Sequence, residues 1–326
     1  MPEEPNPSFK KEGRIFYIRK KDHQLINIQH VDSKYRVYLS SIKIVALKMG
    51  LLDISLRCGI CVIRFNNPKK LNAWSQRMMK EKSVALAEAA SDPSVKAVVV
   101  TGTGKYYCAG VDLSAVLKPM NPKTLVGIIK TQNQALFDTF IDFPKPIFAA
   151  INGPAVGAAV TTATLCDGIV ANQHATFHTP FQSLGLVPEG CSSVLFPEIF
   201  GEEMAKKMLI DGHKLQVTEA LEHGMISSIT VSDSDDVNGD VELQDAAVKL
   251  AEEYVEKNGI HRKRTAEERL RLKQVNEQES IDLANAFVSE NFLRAMESQA
   301  ERKGNGKVKY SFAALRIARP IWSLLL

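Results

Sequence analysis

Long apolar runs are missing from this 326-residue chain. A bilayer-crossing helix needs about 20 consecutive apolar residues. The stretch Ile42 to Leu56 is broken by Lys43, Lys48 and Asp53, and the terminal Ile321-Trp322-Ser323-Leu324-Leu325-Leu326 is too short, so no membrane span is expected. Cysteine is scarce as well. Five of them, an odd number, argue against a secreted disulfide scaffold. Cys58-Gly59-Ile60-Cys61 has redox or metal spacing, but it lies within the strand-like run Ile54 to Phe65 and no second Cys/His pair accompanies it. It is read as structural, and no metal site is expected. Gly102-Thr103-Gly104 lacks the third glycine and the acidic partner of a dinucleotide fingerprint, which excludes that route to a nicotinamide or flavin. No repeat recurs at a fixed period. Charge of one sign is also in short supply: the net charge is +4, and its excess sits in the N-terminal segment and in His261-Arg262-Lys263-Arg264. That is no nucleic-acid footprint, although a mildly basic surface suits an anionic small molecule. The opening Met1-Pro2-Glu3-Glu4 is acidic and no apolar core follows it, so neither a secretory signal nor an Arg-rich transit peptide is expected.

What is present is ordinary globular material, 45% hydrophobic and 24% charged, and long enough to bury a large core. Three regions separate. Residues 1–50 form an extension of unknown role, irregular or β-like. Residues 51–240 alternate strands and helices, the pattern of an α/β core. Residues 241–326 form a mainly helical region. Ile54 to Arg64 alternates and ends in the turn Asn66-Asn67-Pro68. A helix is expected from Ser75, its N-cap, to Ala90. Val95 to Thr101 and Pro144 to Ile151 have the composition of buried parallel strands, with a helix from Leu125 to Phe140 between them. Further on come helices at Ala158 to Cys166, near Cys191, at Gly201 to Asp211 and at Thr218 to His223. Strands are expected at Gly168 to Ala171 and around Ile226 to Val231, then a polar loop at Asp233 to Asp240.

Three segments carry chemistry. Tyr106-Tyr107-Cys108-Ala109-Gly110-Val111-Asp112-Leu113 follows a buried strand. Asn152-Gly153-Pro154-Ala155-Val156-Gly157-Ala158-Ala159 is a glycine-marked turn opening a helix. Glu189 is a lone carboxylate in Leu184-Gly185-Leu186-Val187-Pro188-Glu189-Gly190-Cys191-Ser192-Ser193. A base and two stretches of free backbone N–H are the parts needed to move a proton beside a carbonyl. Leu186, Val187 and Pro188 suggest poor hydration, which lifts a carboxyl pKa toward working pH. His178 also titrates near neutrality, but its place before Thr179-Pro180 reads as a packed or hydrogen-bonding residue. Asp112 is assigned to orienting its loop.

These segments resemble the enoyl-CoA hydratase/isomerase superfamily, the crotonase fold, from Ile54 to Ser228 and more loosely to Arg302. Asn67-Pro68-Lys69-Lys70-Leu71-Asn72-Ala73 is similar to the family's early loop. Val98-Val99-Val100-Thr101-Gly102 through Leu113 is similar to its first oxyanion segment, and Lys145-Pro146 through Asp167 to its second. The resemblance implies a spiral of ββα units with a C-terminal helical region used for assembly as a trimer or hexamer. It implies that the backbone N–H groups of Val111 and Ala158 bind the thioester oxygen, with Gly110 and Gly157 permitting close approach. It further implies that Lys69, Lys70, Ala73, Ala109, Gly110, Asp112, Leu113 and Gly157 contact substrate, and that Asp167 is structural.

The two catalytic glutamates of the hydratases would fall at Thr161 and Phe181, neither a carboxylate. The isomerase glutamate falls on Glu189. The implied reaction is therefore the conversion of 3-cis- or 3-trans-enoyl-CoA to 2-trans-enoyl-CoA in fatty acid β-oxidation. The implied partner is a fatty acyl-CoA thioester, and no cofactor is needed because coenzyme A is part of the substrate. Two rivals stand beside it: another acyl-CoA reaction on the same scaffold, such as dienoyl-CoA isomerisation or thioester hydrolysis, and a non-catalytic acyl-CoA-binding module. The resemblance points to the peroxisome, with the mitochondrion as the alternative since no Ser-Lys-Leu terminus is present.

Overall fold

A computed structural model describes residues 14–19, 25–28, 44–113, 121–231, 241–302 and 304–323. The loop expected at Asp233 to Asp240 lies outside them. One sheet of nine strands organises the molecule. Its first strands are β1 (Arg14–Arg19), β2 (Leu25–Ile28), β3 (Ile44–Met49), β4 (Leu52–Arg57) and β5 (Ile60–Phe65). It continues with β6 (Ala97–Gly102), β7 (Ile147–Ile151), β9 (Gly168–Asn172) and β12 (Ser228–Thr230). The order across the sheet is β12-β9-β7-β6-β5-β4-β3-β1-β2. Pairing is antiparallel from β2 to β5 and parallel from β5 to β12. A second sheet is small: β8 (Ala155–Val156), β10 (Thr176–His178) and β11 (Lys214–Gln216), in the order β11-β10-β8.

The run expected as one strand from Ile54 to Phe65 is a hairpin. Cys58 (φ 52°) and Gly59 (φ 84°) both lie in the left-handed region, as a two-residue type I′ turn requires. The Cys58–Cys61 spacing is thus one turn residue, exposed, and one strand residue, buried. Within residues 1–50 the described stretches are strands, β1, β2 and β3, which join the sheet, in keeping with a β-like extension.

The central parallel strands β6 and β7 are buried at every position because both sheet faces are covered there. Alternation sends Ile60, Val62, Ala97, Val99, Phe148, Ala150 and Val170 to one face, under Leu243, Ala247, Val248 and Ala251 of α6 (Val241–Asn258). Cys61, Ile63, Val98, Val100, Ala149 and Ile151 point to the other face and build the main core. There they meet α1 (Gln76–Ser91), α3 (Ala158–Thr164), α4 (Ser192–Leu209) and α5 (Val217–Glu222). The hydroxyl of Ser75 caps α1 by accepting from the Met78 amide at 3.2 Å. Helix α2 (Pro122–Ile141) starts with Asn121 as cap and proline in its first position. The separate helix expected from Gly201 is the second half of α4, which bends at Gly201 (φ 77°, ψ 161°). Helix α7 (Ala266–Ala286) packs along α2, while α8 (Glu290–Arg302) and α9 (Gly306–Ile317) pack together and α10 (Arg319–Trp322) follows.

Candidate functional site

Two glycine-containing turns are brought side by side beyond the ends of β6 and β7. The loop after β6 is pinned by two asparagines. Buried Asn72 donates from Nδ2 to the Thr103 and Tyr106 carbonyls at 2.9 and 2.7 Å, and its Oδ1 accepts the Asn67 amide at 2.9 Å. Asn152 accepts the Gly102 amide at 3.0 Å and donates to the Gly104 carbonyl at 2.7 Å. Beyond that point Cys108 and Ala155 form a parallel bridge, with the Val156 amide donating to the Cys108 carbonyl at 3.0 Å. Val111 and Ala158 each lie three residues past this bridged pair.

Gly110 (φ 86°) lies so close to the second segment that a Cβ there would stand 2.9 Å from the Val156 carbonyl oxygen. Gly157 (φ 58°, ψ −125°) precedes α3, and a Cβ on it would meet no atom of the other described residues within 4 Å. Its own amide donates to the His178 carbonyl at 2.8 Å. Trp74 takes up the backbone on both sides of Val111: its amide donates to the Gly110 carbonyl at 2.8 Å and its carbonyl accepts from Asp112 at 3.1 Å. The amides of Val111 and Ala158 donate to no acceptor among the described residues. Ala158 opens α3, so its amide also stands where a helix dipole favours negative charge.

The early loop joins the same structure. The Ala109 amide donates to the Leu71 carbonyl at 2.9 Å, which ties the segment carrying Val111 to the turn carrying Lys69 and Lys70, both exposed. Ala73, Ala109, Val111, Asp112 and Leu113 are half-buried.

Glu189 ends the loop before α4. It is only 8% exposed, and its carboxyl takes no hydrogen bond from any described residue. Burial, and then the negative charge of Glu279, push its pKa up to about 8. Leu184, Leu186 and Val187, just ahead of it, pack on an apolar cluster of Ile129, Leu283, Phe287 and Phe292. Leu113, Leu125 and Val126 pack on that same cluster. The loop carrying Glu189 and the segment carrying Val111 therefore share one apolar lining. Glycine is the residue type that fits at 190 against α2, since a Cβ there would stand 2.3 Å from the Phe137 ring.

The remaining sequence candidates play structural parts around this group. Thr161 is fully buried in α3 and its hydroxyl bonds to the Ala158 carbonyl at 3.4 Å; Phe181 is buried at 3% exposure. Neither position offers a carboxylate. His178 lies on β10 between β8 and β11, and its pKa is lowered by burial first and by Lys214 second. Asp167 accepts from the Ile147 amide at 2.9 Å and pairs with Arg262 at 2.8 Å, a structural role.

Sequence reasoning overlooked two groups. Glu279 on α7, 6% exposed, accepts the Cys191 and Ser193 amides just past Glu189. Lys82 on α1 is 1% exposed, and its Nζ, without a hydrogen-bond partner, stands 3.4 Å from the centroid of the Trp74 ring. Burial pushes its pKa down to about 7. Lys82 carried a readable signal, a cation one turn from Met78 and Leu86 on the apolar stripe of α1. Glu279 carried none.

This fold and these paired turns define the chain's class. It belongs to the enoyl-CoA hydratase/isomerase family, whose model matches residues 56–310. It is similar to Enoyl-CoA delta isomerase 2 of Rattus norvegicus, 36% identical over 254 residues, which takes in 75% of this chain and 62% of that protein. It is similar also to the peroxisomal Enoyl-CoA delta isomerase 3 of Mus musculus, 42% identical over 174 residues, covering 52% of this chain and 54% of that one. The chain thus spans little more than half the length of these relatives. A solved enoyl-CoA hydratase/isomerase from Pseudoalteromonas atlantica shares the fold, with a TM-score of 0.63 at 24% identity, over 78% of this chain and 98% of that structure. Among the described residues no helix is long and apolar enough to cross a membrane.

Proposed function

We propose that the chain isomerises 3-enoyl-CoA thioesters to 2-trans-enoyl-CoA, with Glu189 as the single acid–base group. The observation that carries this reading is a buried carboxyl without hydrogen-bond partners among the described residues, its pKa raised to about 8, on a loop that packs on the same apolar cluster as the segment carrying the Val111 amide. Glu189 removes a proton from C2, and the C2–H electron pair delocalises through the C3=C4 bond and the thioester. The resulting dienolate places negative charge on the thioester oxygen, which the Val111 and Ala158 amides stabilise. Protonation of C4 by the same carboxyl sets the double bond between C2 and C3 and restores the base. No cofactor enters, since coenzyme A arrives on the substrate. Lys69 and Lys70 supply mobile positive charge for the CoA phosphates. Ala73, Ala109, Gly110, Asp112, Leu113 and Gly157 line the path of the thioester. Thr161 and Phe181 leave no second carboxyl to direct water, which favours isomerisation over hydration.

The same reading assigns the C-terminal helices to assembly as a trimer or hexamer, tested by light scattering. It places the protein in the peroxisome, in keeping with the mouse relative named peroxisomal. The decisive experiment assays purified protein on 3-enoyl-, 2-enoyl- and dienoyl-CoA. Turnover of the first, lost by about 10² to 10⁴-fold in E189Q with CoA-ester affinity kept, is the expected result. Tight binding without any turnover would instead assign a non-catalytic acyl-CoA module.

A further inference from the structure

The turn that carries the base is held from behind. Gly190 (φ 68°) and Cys191 (φ 64°) both lie in the left-handed region, directly after Glu189 and before α4. For a residue with a side chain that conformation costs on the order of 1 kcal/mol or more and persists only where its surroundings impose it. Here the surroundings are α7. One carboxylate oxygen of Glu279 accepts the Cys191 amide at 2.6 Å and the other accepts the Ser193 amide at 2.9 Å. The Cys191 thiol donates to the Leu272 carbonyl, also on α7, at 3.2 Å. Cys191 supplies no side-chain cap of its own to α4. A carboxylate from a distant helix thus satisfies the amides that every helix start leaves open, and its charge suits that end of the helix dipole.

We infer that Glu279 is a positioning residue for Glu189: its two-point grip on the Cys191 and Ser193 amides sets the strained turn that aims the base, and it holds a second carboxylate beside the first. This rests on the reading of Glu189 as the base. Glu279 also lines a cavity of about 380 Å³ together with Val187, Pro188, Val194 and Val275. Glu279 acts on the base through the backbone, by its hold on the Cys191 and Ser193 amides, and through charge. Other charged groups surround the pair. Asp282 faces Glu279 along α7, while Asp138 on α2 and the guanidinium groups of Arg264 and Arg271 act on Cys191. Of these, Glu279 is the charge that opposes ionisation of Glu189.

Two variants separate grip from charge. E279Q keeps the size, loses the charge and leaves only one acceptor for two amides. E279D keeps the charge but is one methylene too short to reach both. Assayed in the full chain, each should lower kcat by about tenfold or more with KM within about threefold, since misplacing a catalytic group costs turnover before binding. E279Q should also move the pH midpoint of kcat/KM downward, whereas E279D should leave it in place. Unchanged kcat in both folded variants, or an unmoved midpoint in E279Q, overturns the assignment. An infrared titration of the Glu189 carboxyl, identified by its disappearance in E189Q, reads the same pair without turnover. If the wild-type chain isomerises no enoyl-CoA, the proposed function fails while this titration still decides the inference: a lower midpoint in E279Q upholds it and an identical midpoint sinks it.

Discussion

The α-carbon of Gly110 and the carbonyl oxygen of Val156 are so close that no side chain can come between them; a Cβ would stand 2.9 Å from that oxygen. With φ at 86°, residue 110 has both a steric and a conformational reason to be glycine. G110A should cost about 1–3 kcal/mol of stability and, by displacing the Val111 amide, up to about 10² in kcat/KM. Thermal denaturation and steady-state kinetics check both. A G110A protein with parental melting temperature and turnover would disprove the close-approach account.

The buried carboxyl of Glu189 sets a pH signature. As the proposed base Glu189 must be ionised, so kcat/KM should climb with pH around a midpoint near 8, the value to which burial and Glu279 push it. Stability runs the other way. Between about 4.5 and 8 the folded protein keeps a proton that the unfolded chain has lost, so this group's contribution falls as pH rises through that window. E189Q should abolish that fall. Denaturant titrations at several pH values will show it; parallel curves for parent and variant would refute the shift.

Lys82 is a further buried titratable group, on α1. With its pKa pushed down to about 7 from 10.5, the unfolded chain binds a proton between those values that the folded one does not. Stability should therefore rise with pH across that window. K82M removes an unsatisfied polar nitrogen at similar volume, and at neutral pH it should stabilise the protein by about 1–3 kcal/mol. Contact with the Trp74 ring at 3.4 Å offsets part of the burial cost. A destabilised K82M would show that this contact outweighs desolvation.

Much of this arrangement was legible because local chemistry repeats it. Val98-Val99-Val100 can only be a strand covered on both faces, the glycines at 110 and 157 announce turns, and Glu189 is conspicuous among Leu186, Val187 and Pro188. The hairpin at Cys58-Gly59 was hidden because apolar residues continue on both sides of the turn, so periodicity sees one strand where the backbone makes two. Glu279 was hidden for a different reason. In Asn276-Glu277-Gln278-Glu279 it reads as one more charge on a solvated helix, and only the packing of α7 against the start of α4 turns it inward. The peptide conformation at Cys191 is likewise a consequence of that contact rather than of its own sequence.

The contrast between the two turn glycines has one more implication. Residue 110 is wedged against neighbouring main chain, whereas no described residue stands within 4 Å of where a side chain would begin at 157. On the proposed reading, an acyl group that approaches the first amide of α3 from that side meets none of the described residues within that distance. Liganded and free forms should then superpose through residues 157–160 without rearrangement, leaving any conformational adjustment to the loop that bears Glu189.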